Sequence, residues 1–361
     1  MIIGIDASRA VAALPTGTEL YSQQLIRALI DSAPDRRFRL YFNQPPAADL
    51  FKADHVEIRT ISFPRLWTHA RLSLEMALHR PDALFVPAHV LPIVRPRKSV
   101  VTVHDLGYVH FPNSHTRFQR WYLDVSTRWN ARTATRLIAD SQATKDDLIR
   151  HYETPADKIV VAYPGLDPSV RRVEDTAQIE TVKSKYGIDG DYLLTLGTLQ
   201  PRKNLARLIK AYSRTKAAPK LVIAGKKGWL YDSLFKQVER LNLTERVIFP
   251  GYVAGIDKAA LMSGATALVF PSLYEGFGFP VVEAMACGTP AVCSNTSSLK
   301  EVAGDAALLV NPTDTDDIAA AIQYITSNAE LRHTLVESGY AQIGKFTWDA
   351  CARTVVEVLS H

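Results

Sequence analysis

Three groups of residues in this chain have types and spacing suited to chemistry. They are the carboxylates Glu275 and Glu283, the adjacent cations Arg202 and Lys203, and the step His104-Asp105. The carboxylates flank Gly276-Phe277-Gly278-Phe279-Pro280, and the apolar run 267–270 just before them reads as a buried strand. Pro280 suits the first turn of a helix and Gly288 its end, so this is a strand, a glycine loop and a short helix. Free N–H groups and the helix dipole at such a helix start favour an anion. Carboxylates repel phosphate but accept hydrogen bonds from sugar hydroxyls. Backbone would therefore hold a phosphate, and the two glutamates the hydroxyls on either side. The plainer alternative is an ordinary loop with one exposed and one capping glutamate.

Arg202 and Lys203 lie in Gly197-Thr198-Leu199-Gln200-Pro201-Arg202-Lys203-Asn204, between an apolar strand and a helix. Paired cations and amide N–H groups on one sheet edge suit a diphosphate. Cations near a helix start are unfavourable unless an anion is supplied there. His104 ends the run 100–103, on the edge where open α/β sheets bind ligands. It either hydrogen-bonds a hydroxyl or a developing charge, or is a satisfied structural histidine. Asp105 either orients that imidazole or caps the next element.

The elements that must position these groups alternate. Strands are expected at 2–5, 38–42, 56–60, 83–86, 100–103, 137–141 and 159–162, then at 192–196, 221–224, 247–251, 267–270 and 290–293. Such short, β-rich runs between helices imply parallel sheets covered on both faces. Thr16 and Glu19 fit a capping box ahead of the stripe Leu20, Leu25, Ile26, Leu29. Only Gly17 lies in that first turn, so the dinucleotide fingerprint is missing. Between about 166 and 191 the chain turns polar, which places a domain boundary there. The expected division is 1–170, 188–345 and an amphipathic C-terminal helix within 346–361.

Composition narrows the class. The 361 residues are 47% hydrophobic and 22% charged, enough for a core in each of two α/β domains. The net charge of +5 favours anionic partners, but no basic block or RNA-binding motif points to nucleic acid. Cys287, Cys293 and Cys351 lack metal-like spacing and read as buried free thiols. The chain enters its first strand directly, so no secretory leader is expected. No apolar run has membrane-spanning length. Two basic-aromatic stretches, 64–71 and 117–122, could lie on an anionic membrane or grip an acidic acceptor. Otherwise their aromatics belong to the core and their arginines to solvent.

These motifs together resemble the family-4 retaining glycosyltransferases. The resemblance rests on the 197–204 loop, on Glu275 and Glu283 within 271–288, on Val103-His104-Asp105-Leu106, on Ala139-Asp140-Ser141 and on the Trp348 helix. It implies a GT-B fold, two Rossmann-like domains facing across a cleft, with the C-terminal helix crossing back to the N-domain. It implies a nucleotide-sugar donor held mainly by the second domain and a saccharide or lipid-linked saccharide acceptor. By carry-over, Arg202 and Lys203 bind the diphosphate and Glu283 the ribose. Glu275, with the backbone of Gly276, Phe277, Gly278 and Phe279, holds the transferred sugar. Gly251, Tyr252 and Val253 lie along the base, His104 sits beside the reacting sugar, and Gly17 lets the first loop approach phosphate or acceptor. Thr198 stands where many relatives carry an arginine, a departure that Arg202 would compensate. The loop's form is similar to that of bacterial mannosyltransferases of polysaccharide assembly, which implies GDP-mannose. A UDP-sugar donor, a nucleotide-sugar epimerase and a non-catalytic sugar-nucleotide binder are the alternatives. With side-chain cations at the diphosphate, no metal and no cofactor are expected, and the expected location is cytoplasmic, at the inner membrane face.

Overall fold

The computed structural model describes residues 1–11, 17–47, 50–63, 66–88, 90–226, 228 and 232–360. Thr16, and with it the expected capping box, lies outside them, as do Pro64 and Arg65. The chain forms two compact units, residues 1–165 with 346–361, and residues 166–345. The stretch 166–170 therefore belongs with the second unit. Its Leu166 and Val170 are apolar and pack into that unit's core.

The first unit runs β1 (Ile2–Asp6), α1 (Gly17–Ser32), β2 (Arg37–Phe42), β3 (Val56–Thr60), α2 (Ser73–Leu78), β4 (Ala83–Val86), β5 (Lys98–Val103), α3 (Gly107–His110), α4 (Arg117–Thr133), β6 (Arg136–Ala139), α5 (Gln142–Tyr152) and β7 (Ile159–Val161). The second runs α6 (Thr176–Lys185), β8 (Tyr192–Leu196), α7 (Leu205–Tyr212), β9 (Lys220–Ala224), α8 (Asp232–Arg240), β10 (Val247–Gly251), α9 (Gly255–Ser263), β11 (Ala267–Phe270), α10 (Phe279–Ala286), β12 (Ala291–Ser294), α11 (Ser297–Ala303), β13 (Ala307–Val310), α12 (Thr315–Ser327) and α13 (Ala329–Ile343). α14 (Trp348–Ser360) returns to the first unit and packs on α1.

Every strand pairs in parallel, and both sheets reverse direction once. Their orders are β3-β2-β1-β4-β5-β6-β7 and β10-β9-β8-β11-β12-β13. The switch points lie between β1 and β4 and between β8 and β11, where diverging connections open a crevice at the strands' C-terminal ends. Neighbouring residues on a strand point to opposite faces, and each sheet is buried on both. Leu194 and Leu268 enter one core of the second unit, while Leu193, Ala267 and Val269 enter the other. In the first unit Cys351, Ala352, Val355 and Leu359 of α14 complete the core of β1 and α1. Their spacing puts them on one helix face.

Candidate functional site

The second unit's site is built where β8 and β11 lie side by side. After β8 the chain passes Gly197 and makes a single tight turn, Pro201–Lys203, before α7 begins. After β11 it forms the 271–278 loop, and Gly278 hands over to α10. Gly278 has φ +106, and a Cβ there would lie 2.5 Å from Leu299 Cδ2, so only glycine fits. Leu273 N donates to Arg202 O at 2.8 Å, and Asn204 Nδ2 donates to Pro271 O at 3.0 Å. These bonds lock the two loops together. From the next connection, Ser298 Oγ sits 2.9 Å from the carbonyls of both Glu275 and Phe277, and Glu275 N donates to Ser297 Oγ.

Glu275 is the hub. Its Oε1 accepts from Lys203 Nζ at 2.6 Å and from Ser272 Oγ at 2.5 Å, and its Oε2 accepts from Arg202 Nη1 at 2.6 Å. Glu275 and Lys203 are 6% and 9% exposed. Burial would raise the carboxyl, but the charges of Lys203 and Arg202, with the bonds from Lys203 and Ser272, outweigh it and hold the pKa at about 2. Glu275 is thus a fixed anion at neutral pH, unfit to be a general acid. Three of a carboxylate's roughly four acceptor positions are taken, which leaves room for one sugar hydroxyl. One anion that the cation pair needs is supplied by the protein itself, as Glu275. Two cations against one carboxylate leave one net positive charge for a phosphate.

The same edge continues across the neighbouring strands. Gly197 N donates to Ala224 O at 2.9 Å, and Gly225 N to Gly251 O at 2.8 Å. A Cβ on Gly225 would fall 1.8 Å from Gly197 O, so the glycine allows this close backbone approach. Thr198 is half-buried beside it. Tyr252 is exposed, with Lys226 Nζ 4.9 Å from its ring centroid, a stacking platform at the sheet's edge. Val253 departs from expectation. Its side chain packs in the core, so only its backbone can line a ligand. Gly276 is half-buried, while Phe277 is buried and meets Phe279 edge-on at 5.1 Å.

Glu283 lies apart from this hub. It is buried on the second turn of α10 and pairs with Lys258 of α9, a partner whose position the sequence does not reveal. Metal-held diphosphates are signalled by an Asp-x-Asp spacing, and that spacing occurs twice here without marking a site. Asp189 of 189–191 is exposed and pairs with Lys220, and Asp314 of 314–316 caps α12.

In the first unit His104 follows β5 and Asp140 follows β6, the adjacent strand. His104 Nδ1 lies 2.7 Å from Asp140 Oδ2, and Tyr21 of α1 abuts the imidazole edge-on at 4.7 Å. Asp140 therefore orients His104, while Asp105 Oδ1 accepts from Gly107 N, at the first residue of α3, at 2.7 Å. Burial opposes the imidazolium, yet Asp140, then Asp105, raise the His104 pKa above its ordinary value. Nε2 is shielded from solvent, and the Pro87 carbonyl adds a further, smaller pull in favour of the imidazolium. Gly17 is exposed at the first turn of α1. Asp6, overlooked in the sequence, ends β1 at the switch point. Burial pushes its carboxyl up to about 6 against the bonds from Ser8, and Oδ2 has no partner among the described residues. Its signal was a lone acid ending an apolar strand.

Residues 17–170 match the family described as Glycosyltransferase Family 4, and residues 178–342 match Glycosyl transferases group 1. The O-antigen chain mannosyltransferase B of Escherichia coli is 34% identical over 267 residues, 73% of this chain and 70% of that protein. The serotype-specific mannosyltransferase WbdA of Escherichia coli is 30% identical over 282 residues. That match covers 73% of this chain and 33% of WbdA, so the chain spans about a third of that relative's length. The structure of Anabaena Alr3699/HepE in complex with UDP and glucose matches with a TM-score of 0.76, at 21% identity over 99% of both chains. WaaG, a glycosyltransferase involved in lipopolysaccharide biosynthesis, matches with a TM-score of 0.73 at 15% identity over 100% of both. At these identities the likeness shows the fold, which is GT-B. The chain belongs to the family-4 glycosyltransferases, and is a hexosyltransferase.

Proposed function

We propose that this protein transfers mannose from GDP-mannose, with retention of configuration, to a saccharide or lipid-linked saccharide during polysaccharide assembly. The observation that carries the reading is the Arg202–Lys203–Glu275 clamp at the switch point, set beside relatives named as mannosyltransferases. Breaking the anomeric bond leaves negative charge on the departing phosphate. Cations held in place beforehand stabilise that charge without reorganising, and one such donor is typically worth about 3–4 kcal/mol. The leaving phosphate oxygen would accept the acceptor's proton, so no carboxylate nucleophile is assigned. Glu275, fixed as an anion, keeps the cations aimed and takes one sugar hydroxyl. His104 Nε2 donates to a hydroxyl at the first unit's sheet edge. Side-chain cations at the diphosphate make a metal unnecessary in this scheme.

We also place the acceptor at an anionic membrane surface. Phe118, Trp121, Tyr122 and Val125 are exposed at 71%, 59%, 38% and 44%, and their spacing puts them on one face of α4. The inward side of that helix holds Thr127, Asn130 and Ala131 instead, an inversion of the usual pattern. This corrects the expectation that those aromatics are core. In the other stretch Trp67 is buried, donating to Ile61 O at 2.7 Å, while His69 bonds Tyr122 across the surface at 3.1 Å. No helix among the described residues is long and apolar enough to cross a membrane.

A thermal-shift series with GDP-mannose, GDP, UDP-glucose, UDP and UDP-N-acetylglucosamine tests the donor, because ligands that bind the native state raise Tm with affinity. Larger shifts with the guanosine ligands, and labelled mannose passing to a lipid-linked saccharide, are expected. Preference for uridine ligands would sink the donor assignment. Full-rate nucleotide release without acceptor would point to an epimerase.

A further inference from the structure

Away from the residues described above, the first unit gathers a second set of titratable groups. His110, Asp147 and His151 bring one ligand atom each to within 4.8 Å of one another. His110 Nε2 lies 2.8 Å from Asp147 Oδ2, and His151 Nε2 lies 3.9 Å from Asp147 Oδ1. The two imidazoles meet edge-on with centroids 5.5 Å apart. His151 Nε2 is itself shielded from solvent and has no hydrogen-bond partner among the described residues, an unmet nitrogen facing a buried carboxylate.

We propose that His110, Asp147 and His151 form a binding site for a divalent transition-metal ion of the zinc class. Two imidazoles and a carboxylate are the donor set such ions take, with bonds of about 2.0–2.2 Å that place ligand atoms about 3.4 Å apart around a tetrahedral ion. The observed separations bracket that spacing, so small side-chain rotations suffice. Asp147 and His151 stand four apart on α5 and so share one helix face, while His110 closes the site from the end of α3. The frame is already set, since Tyr108 and Tyr152, neighbours of the two histidines on the same elements, meet hydroxyl to hydroxyl at 2.7 Å. Partly exposed imidazoles leave the fourth position to water.

The topology gives this ion a role distinct from chemistry on the donor. His110 lies on the connection that leaves β5 at His104, and Asp147 and His151 lie on the helix that leaves β6 at Asp140. The ion would clip together the two segments that begin with the His104–Asp140 pair. It is a positioning site for that pair, and it stands whether or not the donor is GDP-mannose.

The experiment titrates the full chain, stripped with chelator, with Co2+ and then Zn2+. One equivalent of Co2+ should develop the visible absorption of a tetrahedral site, Zn2+ should bleach it, and Zn2+ in hundredfold excess over Kd should raise Tm by about 5 °C. His151→Gln and Asp147→Asn should each abolish the absorption while keeping a cooperative unfolding transition. Amide exchange should slow at 104–110 and 140–151 on adding Zn2+, and stay unchanged at 197–203 and 271–278. Absence of the cobalt spectrum, or an equal response in both variants, would overturn the assignment. So would protection confined to other segments.

Discussion

The hub of the second unit and the pair at the end of β5 and β6 solve the same problem in opposite ways. Both hold a buried carboxylate at a parallel sheet's C-terminal edge. Glu275 is flanked by two permanent cations, and its pKa falls to about 2. Asp140 is paired with an imidazole, and its pKa rises because burial, with Asp105 adding to it, outweighs His104. Asp6, with the Ser8 hydroxyl and amide as hydrogen-bond donors and only a weaker pull from Arg9, rises to about 6. An arginine stays charged whatever its neighbour does, whereas a histidine can shed its proton near neutral pH. The second unit's edge is thus an electrostatically rigid clamp, and the first unit's edge is adjustable by pH.

The sharpest break in this comparison is Lys203→Ala. Its expected loss of kcat is roughly 10²–10³-fold, read from initial rates with saturating donor. The structure adds a stability cost of about 3 kcal/mol, because Glu275 stays buried with one cation fewer. Denaturant melts should show that cost, and a Lys203→Met/Glu275→Gln pair should recover stability without activity. A double variant with near wild-type turnover would remove the clamp from the chemistry.

Next in size is the acid limb of wild-type stability. The folded pKa of Glu275 lies below its unfolded value of 4.5, so its contribution is full above pH 4.5 and lost as pH falls towards 2. The loss amounts to about 3 kcal/mol. Glu275→Gln, less stable at pH 7, should lack that part of the slope in melts taken between pH 5 and 2, values set by the same shift. Asp6 has the opposite sign. Its folded pKa is raised, so its contribution is full below 3.8 and disappears as pH rises through about 6. Asp6→Asn should therefore stabilise at pH 7 by about 1–3 kcal/mol and do nothing below pH 3.8. Equal effects at both pH values would contradict its burial as an uncompensated charge.

For His104 the shift is also upward, so its contribution is present below the unfolded 6.5 and fades as pH rises through the folded value. Asp140→Asn should lower the imidazole pKa seen by NMR titration, and an unmoved titration would free His104 from Asp140. The smallest effect on stability is expected for Trp121→Ser, within about 0.5 kcal/mol because the ring is exposed. Its vesicle flotation should nevertheless weaken. Unchanged flotation on anionic vesicles would remove α4 from the membrane reading.

Much of this was readable in advance. Strand runs such as 221–224 and 267–270 are continuous apolar stretches because parallel strands are buried on both faces, and they appear at those residues. The strand 307–310 and the helices at 315–327 and 329–343 went unread, the helices because small and polar residues dilute the apolar stripes of α12 and α13. Arg202, Lys203 and Glu275 were recognisable as charged residues on loops that follow buried strands. That all three neutralise one another in part was not, because their contact spans some seventy residues of sequence.

Local sequence alone set the alternation of strand and helix, the glycine at 278 and the placing of charge on strand-end loops. These depend on backbone sterics and on hydrophobic periods that act over a few residues. Which charges meet was decided only by the sheet order, which puts β8 beside β11 and β5 beside β6. Coulombic and hydrogen-bond partners depend on distance in space, and that distance exists only once the strands are ordered.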